Sequence, residues 1–280
     1  MTDNKTALIV EGGAMRGIFA AGVLDRFLEL EYNPFDFCVG VSAGATNLAA
    51  WLCKQKGRNY KVIKDYSCRP QFISFRKYLS GGHVIDLDWL WDITIREMRL
   101  DLGEFKKNKT VFYVVVTNAL DGKAEYLIPE EETLELLIKG SCALPGLYRG
   151  FPEYDDIRMA DGGVADPLPV IRAYEMGARE MTVILSRPLG YRKKAGKFPG
   201  ITDFMLKEKK ELARAMKDRW FVYNRSIEFL ETAPADCRVK IIAPPLNFEV
   251  GRLTKDPKKL EAGYQMGLEA AQNLYDLYSK

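Results

Sequence analysis

Apolar positions along this 280-residue chain fall into two alternating kinds of run. Short blocks of consecutive apolar residues, such as Ala7-Leu8-Ile9-Val10 and Val111-Phe112-Tyr113-Val114-Val115-Val116, read as strands buried on both faces. They predict strands near 6–10, 35–41, 111–117, 157–160, 181–186 and 238–242. Longer stretches in which apolar residues recur every three or four positions predict helices near 15–31, 43–56, 86–100, 130–140, 168–177, 203–225 and 256–278. Leu260, Tyr264, Leu268 and Leu274 give the last of these, which reads on to Lys280, one apolar stripe, as expected of a packing helix. Strands alternating with helices imply an α/β fold: a mainly parallel sheet with helices on both faces. Asp121-Gly122-Lys123 between two apolar runs reads as a hairpin turn and adds an antiparallel edge.

Composition adds bounds. An apolar content of 47% is ample for a sizeable core, and the length suits one domain over 1–280. No apolar run approaches the ~18 residues of a membrane span. The start, Met1-Thr2-Asp3-Asn4-Lys5, lacks a signal-peptide profile. The five cysteines (Cys38, Cys53, Cys68, Cys142 and Cys237) have no paired spacing, against both a disulfide framework and a zinc site. Together these favour a cytoplasmic setting. Cys38 and Cys142 read as small core residues.

The chemistry sits in three glycine-rich turns. Gly40-Val41-Ser42-Ala43-Gly44 follows a strand and opens a helix, the setting of a nucleophile elbow, in which a sharp turn exposes a serine hydroxyl at a helix N-terminus. Such a serine needs a base, and the chain has one histidine, His83, which reads as a loop residue ahead of the helix near Asp86. The base is then a carboxylate. Asp161, in Ile157-Arg158-Met159-Ala160-Asp161-Gly162-Gly163, stands where a strand breaks at two glycines. Asp166 is the runner-up, although Asp166-Pro167-Leu168-Pro169 reads first as the cap of helix 168–177. The third turn, Glu11-Gly12-Gly13-Ala14-Met15-Arg16-Gly17, exposes backbone N–H groups after the first strand. That arrangement suits an oxyanion better than a nucleotide, since Ala14 stands where a dinucleotide fingerprint needs its second glycine.

These motifs, in this order, resemble the patatin-like phospholipase family. Its G-G-G-x-R-G loop is matched by Gly12 to Gly17, its G-x-S-x-G by Gly40 to Gly44, and its D-G-G by Asp161-Gly162-Gly163. Ser141-Cys142-Ala143-Leu144-Pro145-Gly146 is similar to a fourth, proline-containing segment. The resemblance covers about 5–187, leaving 188–280 as a helical and strand extension, and implies the three-layer patatin-like architecture. It further implies a Ser-Asp dyad, with Ser42 as nucleophile and Asp161 as proton acceptor. Gly12, Gly13 and Ala14 would form the oxyanion hole, with Arg16 supporting the loop. The implied reaction is hydrolysis of phospholipid, lysophospholipid or other acyl-lipid esters, with neither metal nor cofactor. Two residues depart from the pattern: Gly140 where alanine is usual, and Ala14 for the third glycine. An alanine N–H donates as well as a glycine's provided φ is negative there, so Ala14 bears on the detailed geometry of the loop and not on its chemistry.

Charge is concentrated rather than large. Between Arg187 and Arg219 there are 11 Lys/Arg against 4 Asp/Glu, a local +7 in a chain of +3, which leaves −4 elsewhere. Apolar residues including Phe198 are interleaved there, and Leu212, Met216 and Trp220 share one helical face. Two readings stay open: an apolar face packed on the core with its lysines solvated, or segment 187–219 in peripheral contact with an anionic membrane. Nothing supports nucleic-acid binding, and nothing in the pattern sets an oligomeric state. The stretch from Arg58 to Asp86, with Phe72, Phe75 and Tyr78, is expected to be either part of a lid or acyl pocket or a surface excursion. A function of a different class is a lipid- or nucleotide-binding regulator with an idle elbow. Retention of both Ser42 and Asp161 favours the enzyme.

Overall fold

The computed structural model describes residues 4–196 and 199–278; Phe198 and the last two residues lie outside them. The strands are β1 (Lys5–Val10), β2 (Phe37–Val41), β3 (Val111–Asn118), β4 (Ala124–Leu127), β5 (Glu153–Tyr154), β6 (Ile157–Asp161), β7 (Ala178–Ile184) and β8 (Arg238–Ile242). The first helices are α1 (Gly17–Glu29), α2 (Ala43–Leu52), α3 (Arg58–Lys61), α4 (Phe75–Leu79), α5 (Leu87–Met98) and α6 (Leu102–Lys107). They are followed by α7 (Leu134–Cys142), α8 (Val170–Glu175), α9 (Pro199–Met205), α10 (Lys210–Glu231) and α11 (Pro257–Tyr278).

The strands form one sheet in the order β5-β6-β3-β2-β1-β7-β8, with β4 paired to β3. β3, β2, β1, β7 and β8 run parallel, while β4 and β6 pair antiparallel with β3. The α/β class and the mainly parallel sheet are thus as expected. Alternation within each strand explains the helices on both sides. Leu8, Val10, Cys38, Phe112 and Val114 face a core formed with α1, α2, α7 and α11. Ala7, Ile9, Phe37, Val39 and Val115 face a second core formed with α8 and α10. β1 lies where the strand order reverses, since the chain passes from β1 to β2 on one side and later places β7 on the other. Such a switch point opens a crevice beyond the carboxyl ends of the strands.

The C-terminal segment is built into the same sheet. β8 extends it beside β7, and α11 lies along α1 at backbone contact. A Cβ on Gly267 would stand 2.1 Å from the Phe19 carbonyl oxygen, and one on Gly22 would stand 2.2 Å from that of Tyr264. Only glycine lets the two helices come so close. The Tyr264 hydroxyl donates to buried Asp25 at 2.8 Å and ties the pair. Among the described residues no helix is long and apolar enough to cross a membrane.

Several elements differ from the sequence expectation. The helix expected over 203–225 is two, α9 and α10, separated at 206–209. Helix 168–177 shortens to α8, with Pro169 rather than Asp166 at its N-cap. The irregular stretch after Arg58 contains α3, a π-helical turn over Val62–Tyr66, and α4. These pieces are too short to leave a readable period. The hairpin at Asp121-Gly122 is present, with Gly122 at φ 73°.

Candidate active site

β1 and β2 end at the crevice, β6 ends there from the antiparallel side of β3, and each delivers one part of the site. After β2 the chain turns through Ser42 at φ 52°, ψ −123°, and α2 begins at the next residue. A non-glycine residue in this region is strained. The turn holds because its neighbours are small: a Cβ on Gly44 would stand 2.3 Å from the Val10 carbonyl oxygen, and one on Gly40 would stand 2.6 Å from Ala45 Cα. The Ser42 N–H donates to Ser141 Oγ at 2.8 Å, and the Ser141 hydroxyl donates to the Val115 carbonyl at 2.6 Å.

Ser42 Oγ donates to Asp161 Oδ2 at 2.8 Å, joining residues 119 positions apart. Asp161 ends β6 and is 4% exposed. Its Oδ1 accepts the Gly163 N–H at 2.8 Å, its backbone N–H donates to the Ala143 carbonyl at 2.9 Å, and its carbonyl accepts from Thr117 Oγ1 at 2.8 Å. Gly162 lies against β3, where a Cβ would meet the Val115 carbonyl oxygen at 2.1 Å. One carboxylate oxygen is therefore committed to the backbone and the other to the serine. This is the arrangement in which a carboxylate can take a proton from an alcohol.

The loop after β1 borders the same point. A Cβ on Gly12 would stand 3.1 Å from that of Ser42. The N–H groups of Gly12 and Gly13 make no hydrogen bond to the described residues. Ala14 has φ 51°, so the condition of a negative φ is not met: the alanine occupies a left-handed position suited to glycine. Arg16 is 3% exposed, and its Nη2 donates to Ser186 Oγ at 3.4 Å. Ser186 in turn donates through Oγ to the Gly12 carbonyl at 3.3 Å and through its N–H to Glu11 Oε2 at 2.6 Å. Arg16 thus braces the loop through Ser186. Burial, with Arg187 nearby, lowers its guanidinium pKa to about 10.

Ser42, Asp161 and the loop open on a cavity of about 360 Å³, within the range of small-molecule sites. Its apolar wall includes Leu87, Leu90, Trp91 and Ile95 from one face of α5, together with Phe72 and Ile138. Of the aromatic residues proposed for an acyl pocket only Phe72 lines it; Phe75 is 63% exposed, and Tyr78 stacks under Arg149. Cys142 is also not a plain core residue. It lines the cavity beside Ser42, where burial pushes its thiol pKa well up.

The other candidates lie elsewhere. His83 accepts the Arg149 N–H at Nδ1, 3.0 Å away, and stacks on Tyr148. Asp166 accepts from the Tyr126 hydroxyl at 2.5 Å, and burial raises its pKa to about 6. Sequence reasoning missed Thr117, Ser186, Arg219 and Arg252, and assigned no task to Ser141. Only Arg219, inside the charge-dense segment, carried any signal.

Comparison with known proteins gives the family of the chain. A family model described as patatin-like phospholipase matches residues 8–174, and one described as a domain of unknown function (DUF6363) matches residues 209–280. The chain is 32% identical over 273 residues to the uncharacterized protein YjjU of Escherichia coli, covering 94% of this chain and 75% of that protein. It is 23% identical over 214 residues to triacylglycerol lipase 4 of Saccharomyces cerevisiae, covering 61% of this chain and 23% of the lipase. The crystal structure of VipD from Legionella pneumophila aligns with 98% of this chain and 67% of its own, at a TM-score of 0.49 and 15% identity. The first family match spans more than half of the chain, and on that ground the chain belongs to the patatin-like phospholipase family.

Proposed function

We propose that this protein is a serine acyl hydrolase acting on lipid esters. The observation that carries the reading is the 2.8 Å hydrogen bond from Ser42 Oγ to Asp161 Oδ2 at the end of an apolar cavity. Asp161 accepts the Ser42 proton as Oγ attacks the ester carbonyl, and the Gly12 and Gly13 amides, with that of Ala14, receive the oxyanion. Collapse of the tetrahedral intermediate releases the alcohol, which takes the proton from Asp161, and leaves an acyl-Ser42 ester. Water, deprotonated by Asp161, then attacks this ester, and the fatty acid departs as Ser42 recovers its proton. The apolar wall of α5 holds the acyl chain.

The substrate would be met at a lipid surface. α9 carries exposed Ile201, Phe204 and Met205, and Met205 reaches the turn at Gly146, next to Leu144 and Leu147 of the cavity wall. A reducing, cytoplasmic setting, with peripheral membrane contact through 187–219, suits the five unpaired cysteines and the basic segment. The idle-regulator reading is less favoured, because a strained serine bonded to a backbone-anchored carboxylate is costly to keep without use.

The test is hydrolysis of p-nitrophenyl esters and phospholipids, with fluorophosphonate labelling as a second readout. Ser42→Ala abolishes both turnover and labelling, and Asp161→Asn lowers turnover by at least about 10²-fold. Labelling that persists in Ser42→Ala sinks the proposal.

A further inference from the structure

Two arginines of the C-terminal segment reach the site. Arg219 on α10 and Arg252 after β8 line the same cavity as Ser42, Asp161 and the Gly12–Ala14 loop. The point where a Cβ on Gly163 would stand lies 2.9 Å from Arg219 Nη2 and 3.0 Å from Asp161 Oδ1. The Arg219 guanidinium is therefore beside the dyad. Arg252 stands exposed at the rim, and its carbonyl accepts the Met15 N–H at 3.4 Å, which ties it to the loop.

The cavity end has excess positive charge. Among the described residues, neither Arg219 nor Arg252 has a salt bridge or a side-chain hydrogen bond, and Arg219 Nε is buried without a partner. Deeper in, the nearly fully buried Arg16 leaves Nε and Nη1 unpartnered, and Arg187 leaves Nε so. Lys193 is pushed down to about 6 by burial and by the charges of Arg219 and Arg252. The anions acting on this group are Glu11, already bonded to the Ser186 N–H, and Asp161, engaged by Ser42 and Gly163. Cations left unpaired beside a cavity need an anion to offset their desolvation. A guanidinium pair suits the oxygens of a phosphate.

We propose that Arg219 and Arg252 form a phosphate-binding subsite on the leaving-group side of Ser42. They thereby select acylglycerol esters that carry a phosphate over neutral acylglycerols. This rests on the acyl-hydrolase reading and adds a division of labour to it. The segment matched as patatin-like supplies the dyad and oxyanion loop, and the 209–280 segment supplies headgroup selection. The acyl chain runs into the apolar wall of α5 while the phosphate stays at the rim.

The experiment compares kcat/KM for a 1-acylglycerol 3-phosphate and the monoacylglycerol of the same chain, in wild type, Arg219→Gln and Arg252→Gln. Wild type prefers the phosphorylated ester by about tenfold or more, and the ratio falls towards one in each variant. Arg219→Lys keeps part of it. In parallel, calorimetric titration of Ser42→Ala with each ester and with inorganic phosphate reads binding without turnover. The phosphorylated ester binds more tightly than either the monoacylglycerol or inorganic phosphate. A wild-type ratio near one, or a ratio unchanged in both glutamine variants, overturns the subsite. An equal loss of kcat on both esters also overturns it, because Arg219 then only positions Asp161. Inorganic phosphate binding as tightly as the lipid overturns the headgroup assignment. Absence of turnover on either ester refutes the acyl-hydrolase reading instead, and the titration then decides the subsite alone.

Discussion

The N–H of Ser42 donates to the hydroxyl oxygen of Ser141 at 2.8 Å, and that hydroxyl in turn donates a hydrogen bond to the Val115 carbonyl at 2.6 Å. One side chain thus ties the strained elbow to the neighbouring strand. Ser141 is fully buried, so its loss would leave both partners unsatisfied in a dry environment. Ser141→Ala is expected to destabilise the protein by about 1–3 kcal/mol in urea unfolding. It is also expected to lower kcat more than it raises KM, because the oxygen of Ser42 loses its fixed position. An unchanged kcat would show that the elbow holds without it.

Ala14 has a different cost. At φ 51° its Cβ is crowded against its own backbone, a strain of roughly 1 kcal/mol that glycine does not feel. Ala14→Gly is therefore expected to be neutral or stabilising by up to about 1 kcal/mol, the gain being reduced by the freedom glycine adds to the unfolded chain. Esterase activity should be kept, since a glycine offers the same N–H. A clear loss of stability in thermal unfolding would contradict a left-handed Ala14.

Asp166 should make stability depend on pH in a particular direction. Burial raises its pKa from 3.8 to about 6, partly opposed by the Tyr126 hydroxyl and the Leu168 N–H. Between those values the folded protein binds the proton that the unfolded chain has released. This contribution is therefore complete below about pH 4 and is lost as pH rises to about 6. Asp166→Asn removes the slope. Relative to wild type, the variant should gain roughly 2–3 kcal/mol on going from pH 4 to pH 7. A stability difference that stays constant between these pH values would show that the carboxyl pKa is not raised.

Phe204 is 81% exposed on α9, next to the cavity wall. If α9 rests on lipid, Phe204→Ser should weaken partition into liposomes roughly tenfold, the loss expected for one buried phenyl ring. Hydrolysis of a soluble short-chain ester should be unaffected. Equal partition of the two proteins would remove α9 from the contact.

The sequence by itself determined the α/β class, the layering and the residues of the three glycine-rich turns. Consecutive apolar residues in β1, β2 and β3 require cover on both faces, and a strand followed by Gly40-Val41-Ser42-Ala43-Gly44 makes a sharp turn by local sterics alone. With His83 as its one histidine, placed in a loop by the sequence, the chain leaves a carboxylate as the base that Ser42 would need. Tertiary structure alone decided which residues hold those turns in place. Ser141, Thr117 and Ser186 act through one or two hydrogen bonds to distant backbone, and no periodicity marks such bonds. It also decided where the basic segment points. Leu212 packs inward, whereas Trp220 stays at the surface, so the apolar face read along α10 divides between core and solvent. Arg219 turns into the cavity, because the direction of a long side chain depends on what packs around it. The sign of φ at Ala14 belongs to the same class: the loop must fit between Ser42 and Ser186, and that fit is set by strands distant in sequence.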